Sequence, residues 1–160
     1  MPLVFREAHA DWFRRKLGLA EWREDDDQLL QGLFRVLSAQ GVDYPRFFRL
    51  LARFPDPALG ELFEDPRGFD AWAAFYRERV AEDAIDPAAR RVAMERVNPK
   101  YVLRGHLAEA AIARAMQRDF SEVARLRQIL AQPFAEQPEH EAYALPPPAG
   151  SPPVVLSCSS

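Results

Sequence analysis

The chain has 160 residues, a length typical of one domain, with 48% hydrophobic and 28% charged residues. Its formal net charge is −3, and three of its 24 acidic residues lie in 132–160, which leaves 21 acidic against 21 basic residues in 1–131. This balance excludes the basic surface typical of nucleic-acid-binding proteins. The sequence contains no run of about 18 apolar residues, so no membrane span is predicted. The first 16 residues are charged and do not resemble a signal peptide. We therefore expect a cytoplasmic protein.

Five helices are predicted in the first 98 residues. The first ends at Gly18, and the second follows the acidic run 24–27 and ends at Gly41. Carboxylates at a helix N-terminus satisfy free N–H groups and oppose the dipole, which explains the acidic run better than a metal site does. Asp43 and Asp86 start the third and fifth helices, each followed closely by proline. The predicted apolar faces are formed by Phe5, Trp12, Phe13, Leu17, Leu29, Leu30, Leu33, Phe34, Val36, Leu37, Phe47, Phe48, Leu50, Leu51, Phe69, Trp72, Ala73, Tyr76, Val80, Val92, Ala93 and Val97.

Two more helices and a tail are predicted after them. Asn98-Pro99 repeats the cap-and-proline pattern and predicts a sixth helix to about Gln117, and a last helix runs from about Ser121 to Ala131. Seven of the 14 prolines lie between residues 133 and 153, which predicts extended chain. We therefore predict a mainly α fold of six or seven helices over 1–131, with an extended Pro-rich tail over 132–160. The apolar faces predicted for these two helices contain Tyr101, Gly105, Ala108, Ile112 and Ala115 in one, and Val123, Leu126, Ile129 and Leu130 in the other.

The motifs of nucleotide and acyl chemistry do not occur in this sequence. The seven glycines are dispersed and form no phosphate-binding loop, and neither D-F-G, H-R-D nor G-x-S-x-G is present. His106 and Glu109 stand three residues apart on a predicted helix, a spacing that can place two ligands on one metal. A metal needs a further ligand, so we interpret them as a surface pair. We accordingly predict no catalytic, cofactor-binding or metal-binding residue in this chain.

Cys158 is the only cysteine, which excludes an internal disulfide and a cysteine-based zinc site. It lies in the tail, third from the end of the sequence. A thiol in a flexible tail is exposed and can form mixed disulfides, although a single unpaired cysteine is often incidental. Cys158 is therefore the one candidate redox residue.

Several separate strings occur in an order that resembles a known family. They are residues 43–49, DYPRFFR, then 98–104, NPKYVLR, 119–123, DFSEV, and 133–138, PFAEQP, with SCSS at 157–160. This order resembles the C-terminal portion of the selenoprotein O family, called YdiU in bacteria. The resemblance extends from about Phe13 to the end, and it is specific because it depends on several motifs rather than one.

The resemblance implies a function that composition does not show. Members of this family have a kinase-like fold that binds ATP and magnesium in an inverted orientation and transfers AMP to Ser, Thr or Tyr hydroxyls of proteins. The residues that hold ATP and metal belong to a kinase-like region upstream of the part that matches, so no catalytic residue is carried over. Cys158 matches the family's cysteine near the C-terminus, which is selenocysteine in animal members. In bacterial relatives this cysteine can pair with a cysteine of the kinase-like region.

Two departures from the family pattern leave three hypotheses. Gly105 stands where the family more usually has Asn, and Met1 corresponds to a point well inside a full-length member. The first hypothesis is a helical C-terminal part that packs on the kinase-like region through an exposed apolar patch. The second is a freestanding helical module that binds a partner protein. The third, ranked last, is an independent metal-dependent enzyme around His106 and Glu109.

Overall fold

Helices account for most of the chain in a computed structural model that describes residues 3–148, 150 and 151, with side chains from residue 7 onward. This part contains α-helices and two 3-10 helices but no β-strand, so the mainly α prediction is confirmed. The chain divides into two compact units, residues 1–98 and residues 99–160. The elements in chain order are α1 (Leu3–Leu17), α2 (Asp26–Ala39), α3 (Tyr44–Leu51), a 3-10 helix (Pro57–Leu62), α4 (Arg67–Glu82), α5 (Pro87–Glu95), α6 (Gly105–Met116), α7 (Ser121–Leu130) and a 3-10 helix (Pro138–Ala144).

The ends of the helices in the first unit follow from local sequence. The Asp43 carboxylate accepts a hydrogen bond from the Arg46 N–H at 3.0 Å, and the Asp86 carboxylate accepts one from the Ala89 N–H at 2.9 Å. Both aspartates thus cap the helices that they were predicted to start. Gly18 and Gly41 follow α1 and α2 with φ of +68° and +62°, a conformation that glycine adopts without steric cost.

An aromatic cluster around Phe47 forms the centre of the first unit. The Phe47 ring centroid lies 5.7 Å from that of Phe48, 6.1 Å from those of Phe69 and Trp72, and 6.3 Å from that of Phe63. The four contacts are edge-to-face or nearly so, the geometry that aromatic quadrupoles favour. These rings come from α3, α4 and Phe63, which directly follows the first 3-10 helix, so the cluster joins elements that are separate in sequence.

Two residues of α5 that were predicted to face the core do not do so. Arg90 and Met94, one helical turn apart, are the buried residues of this helix, whereas Val92 and Ala93 are exposed. Val92 is two positions from each buried residue, which places it about 200° away around the helix axis. Val97, which follows the helix, is buried as predicted.

The predicted start of the sixth helix at Asn98-Pro99 was also wrong, because α6 begins at Gly105. The Asn98 side chain is fully buried and donates to the Lys16 carbonyl at 3.0 Å, so it does not cap a helix. In the second unit the N–H groups of Lys100 and Tyr101 both donate to the Pro133 carbonyl, at 2.9 and 3.1 Å. These non-local hydrogen bonds hold the chain out of helical conformation as far as α6.

The second unit packs α6 against α7 and closes over a small core. Tyr101, Ile129 and Ala144 are buried there, with Leu130 and Tyr143 packed against them. Ile112 and Val123, both predicted to face inward, are exposed. Ala111 is the buried residue of α6, Leu107 and Ala115 are half-buried, and Met116 is exposed.

Part of the predicted tail is ordered against this small core. Residues 138–144 form a 3-10 helix where the sequence predicted extended chain. The Tyr101 hydroxyl donates to the Gln137 carbonyl at 2.8 Å, and the Gln137 amide donates to the Ile129 carbonyl at 3.1 Å. Lys100 Nζ contacts the carboxylates of Glu136 and Glu141 at 2.6 and 2.5 Å. Side-chain hydrogen bonds therefore fix this segment against the small core. The proline content of the sequence does not predict these bonds.

Candidate functional site

The first unit carries a cleft between α2 and α4, called here the α2–α4 cleft. Its volume is about 640 Å³. The residues that line it recur every three or four positions on each helix, so one stripe of each helix forms each wall. The lining residues are Asp25, Asp26, Gln28, Leu29, Gly32, Arg35, Val36, Ala39, Gln40, Gly68, Ala71, Trp72, Phe75 and Arg79.

Trp72 forms the floor of the cleft and packs against α2. The indole N–H donates to the Leu29 carbonyl of α2 at 2.9 Å. A Cβ atom on Gly32 would lie 3.5 Å from the Trp72 ring, which is ordinary van der Waals contact, so the indole lies close to the α2 backbone at this point. Near the N-terminus of α4, a Cβ atom on Gly68 would lie 3.8 Å from the Val36 side chain.

One end of the cleft is closed by a network of ion pairs centred on Arg79. Its guanidinium donates to Asp26 through Nε at 2.8 Å and to Asp83 through Nη1 at 2.7 Å. Asp26 also accepts from the Arg23 backbone N–H at 2.8 Å, and Asp83 accepts from the Ala20 N–H at 2.8 Å. The network thus joins α2 and α4 to the loop after α1. The acidic run 24–27 was interpreted as a local helix start, and nothing in the sequence pairs Asp26 with a residue 53 positions later.

The ionisation of these groups favours a structural role. Burial raises the pKa of Asp83, but the hydrogen bonds from Ala20 and Arg79 outweigh it and hold that pKa below its ordinary value of 3.8. Burial lowers the pKa of Arg79, and its bonds to Asp26 and Asp83 more than compensate, so the net shift is upward. A carboxyl group with a lowered pKa and a guanidinium with a raised pKa both stay charged at neutral pH, so Asp83 and Arg79 do not exchange protons there. We therefore assign the network to holding the cleft together rather than to acid–base chemistry.

His106 and Glu109 lie in the first turns of α6, the histidine half-buried and the glutamate exposed. Among the residues that the structure describes, no group of three or more His, Cys, Asp or Glu side chains is placed to hold a metal ion. The pair therefore lacks the third ligand that metal binding requires, as far as the described chain extends. Cys158, the candidate redox residue, lies outside the described residues.

Exposed apolar side chains are concentrated in the second unit. Seven of the eleven large hydrophobic side chains that are exposed in the described chain belong to it. Five of them lie between residues 103 and 123, just before α6, on α6 and around its junction with α7, and we call these the 103–123 surface. Its members and their exposed fractions are Leu103 (60%), Ile112 (57%), Met116 (83%), Phe120 (62%) and Val123 (44%).

Among the helices formed by the described residues, none is both long enough and apolar enough to cross a bilayer.

Comparison with known proteins identifies the class to which this chain belongs. The chain is 52% identical over 149 residues to a protein from Thioalkalivibrio sulfidiphilus, an alignment that covers 91% of the chain and 30% of the relative. It is also 52% identical over 165 aligned positions to a protein from Burkholderia orbicola, with 99% of the chain and 32% of the relative covered. A protein from Paraburkholderia xenovorans is 51% identical over 153 residues, covering 92% and 30% respectively. Each of the three is described as protein nucleotidyltransferase YdiU.

A match to a family model identifies the family to which the chain belongs. The model described as protein adenylyltransferase SelO matches residues 2–131, which is most of the chain. The chain therefore belongs to the SelO family, and the resemblance inferred from separate sequence strings is confirmed. It spans about a third of the length of the relatives that it matches.

Proposed function

We propose that this chain is the C-terminal helical part of a protein adenylyltransferase, which transfers AMP from ATP to Ser, Thr or Tyr hydroxyls of proteins. The observation that carries the proposal is the family match over residues 2–131, combined with relatives about three times as long. In this proposal the chain does not hold ATP or magnesium, which are bound by a kinase-like region of the longer protein. The cytoplasm is the compartment that we propose for this activity.

The chemistry of the described residues supports the assignment of ATP and magnesium to the kinase-like region. Magnesium–ATP sites need backbone N–H groups around the phosphates, a cation, and carboxylate or amide ligands for the metal. The sequence contains no glycine-rich phosphate loop, and the described residues offer no group of three or more metal ligands. The described residues therefore do not fit the nucleotide and its metal.

The 103–123 surface is the proposed contact with the kinase-like region. Met116 and Phe120 expose large apolar side chains, and monomeric proteins rarely leave extensive apolar patches in contact with water. A relative has about two-thirds of its length outside the part matched here, which is enough chain to cover this surface. In this proposal the 103–123 surface serves as the exposed apolar patch of the first hypothesis.

A chimera tests the proposal. The matching portion of the Thioalkalivibrio sulfidiphilus protein is replaced by this chain, and transfer of radiolabelled AMP from ATP to a generic protein acceptor is measured. We expect transfer by the chimera and none by the 160-residue chain alone or by the relative truncated before the matching portion. Transfer by this chain alone contradicts the proposal. Full activity of the truncated relative contradicts it as well and favours a freestanding interaction module.

Matched substitutions in the chimera test the contact surface. Met116→Asp places a charge on the 103–123 surface, and we expect it to lower transfer by about tenfold because a charge buried at a contact is costly. Gln117→Asp introduces the same side chain at the neighbouring exposed position and serves as the control. Equal activity of the two variants shows that the kinase-like region docks elsewhere.

A redox role for Cys158 is a separate part of the proposal, and it is supported by the family resemblance alone. In it, the Cys158 thiol and a cysteine of the kinase-like region form a disulfide, passing two electrons and two protons to oxidised glutathione. The intact mass of the chimera under non-reducing conditions measures this step. We expect the loss of two hydrogen atoms, abolished by Cys158→Ser, and an unchanged mass contradicts the pairing.

A further inference from the structure

The α2–α4 cleft combines a protruding aromatic ring with a recess on the same face. Phe75 lies on the α4 wall with 67% of its surface exposed. Beside it, glycine and alanine occupy the lining at Gly32, Gly68 and Ala71. These small residues leave the cleft open above Trp72, so the face carries both a projection and a space able to receive an aromatic ring.

Charge is distributed unevenly along the α2 wall of the cleft. Asp25 lies at the N-terminal end of α2 and Arg35 lies ten residues later, which corresponds to about 15 Å along the helix. Both are exposed, and neither side chain forms an ion pair with any residue that the structure describes. Arg79 differs from Arg35, since Asp26 and Asp83 already bind its guanidinium. The wall therefore has an unpaired acid near one end, an unpaired base toward the other, and the apolar Leu29 between them.

A contact between two identical faces related by a two-fold axis imposes a specific requirement. Each feature on the face must meet its own complement on the same face of the second copy. A projection requires a recess, and an acid requires a base at an equal distance on the other side of the axis. The α2–α4 cleft meets both conditions, with Phe75 and the recess as one pair and Asp25 and Arg35 as the other.

We propose that the α2–α4 cleft binds a second copy of this chain, with the two α2 helices antiparallel across a two-fold axis near Leu29 and Gly32. Phe75 of each copy enters the recess above Trp72 of the other copy. Asp25 of each copy faces Arg35 of the other, which gives two ion pairs at the edge of the contact. The inference does not depend on the proposed function, since all its residues lie in the first unit and the proposed contact with the kinase-like region lies in the second.

Sedimentation velocity of the full chain over a wide concentration range tests the proposal. We expect a reversible monomer–dimer equilibrium, which Phe75→Asp abolishes because it places a charge in an apolar recess. Phe120→Asp makes the same change at an exposed phenylalanine of the second unit and leaves the dimer intact. Because Phe75 is mostly exposed, the thermal unfolding of the variant should match that of the parent chain.

Charge exchange is the sharper test of the two-fold arrangement. Asp25→Arg and Arg35→Asp each place like charges opposite one another, and we expect each to raise the dimer dissociation constant by about tenfold. The double variant restores opposite charges at both contacts with the original net charge, and we expect it to recover dimerisation. A monomer at every concentration, a dimer that survives Phe75→Asp, or a double variant no better than the single ones overturns the proposal. A chimera that is monomeric while the isolated chain dimerises also overturns it, because the rest of the longer protein then covers the cleft.

Discussion

At the scale of single residues, Gly18 shows how a helix end and the core constrain the same position. Its φ of +68° lies in the left-handed region, and a Cβ atom there would approach Met94 Sδ to 2.5 Å and Arg90 Cγ to 2.9 Å. Gly41 has a similar φ of +62°, but nothing lies within 4 Å of its Cβ position. The sequence predicts both glycines equally well as helix ends, and only the structure distinguishes them.

We predict that Gly18→Ala destabilises the first unit by about 2–4 kcal/mol, the sum of left-handed strain and overpacking against α5. Gly41→Ala, which incurs the strain alone, should cost about 1 kcal/mol. The three tryptophans, Trp12, Trp22 and Trp72, all lie in this unit, so urea unfolding followed by their fluorescence reports its stability. Equal losses in the two variants contradict the packing argument.

At the scale of elements, local signals were predictable and distant pairings were not. Asp43-Tyr44-Pro45 and Asp86-Pro87 start helices as predicted, because their capping hydrogen bonds reach only three residues along the chain. Asn98-Pro99 presents the same pattern and does not start a helix, because the Asn98 amide donates to Lys16, 82 residues away. The α2–α4 cleft was missed for a similar reason, since it forms only when two separate helices pack. Period and capping therefore located most helices but neither the cleft nor the ion pairs that close it.

The pH dependence of stability tests the ion-pair network at one end of that cleft. The pKa of Asp83 is lowered in the folded chain, so its contribution is complete well above pH 3.8 and is lost as the pH falls through the lowered value. We predict that Asp83→Asn reduces the free energy of unfolding by about 1–3 kcal/mol at pH 7. This difference should shrink on going from pH 7 to pH 3, because the unfolded chain takes up a proton at Asp83 below about pH 3.8 and the net stabilisation by the carboxylate then falls.

Asp27→Asn is the matched control for this prediction. Asp27 belongs to the same acidic run, is exposed, and forms no ion pair with a described residue. We expect a change of less than about 0.5 kcal/mol at both pH values, as is usual for surface substitutions. A loss for Asp83→Asn that stays constant between pH 7 and pH 3 contradicts a charged role for Asp83.

At the scale of the whole molecule, the family could be recognised from sequence strings more readily than the site could be located. The segments NPKYVLR and PFAEQP carried the resemblance, and the structure gives them a shared physical role. Lys100 and Tyr101, from the first, bind Glu136 and the Gln137 carbonyl, in the second. The two strings are therefore joined by contacts within the second unit. The activity of the longer protein is therefore inferred from the family and not from chemistry visible in this chain.

In the function proposed above, this chain is part of a protein adenylyltransferase and does not itself bind the nucleotide. Isothermal titration of magnesium–ATP into the purified 160-residue chain tests this proposal most directly, with the chimera titrated in parallel. We predict saturable binding by the chimera and only heat of dilution for the isolated chain. Saturable binding by the isolated chain, with a dissociation constant on the order of micromolar, would contradict it.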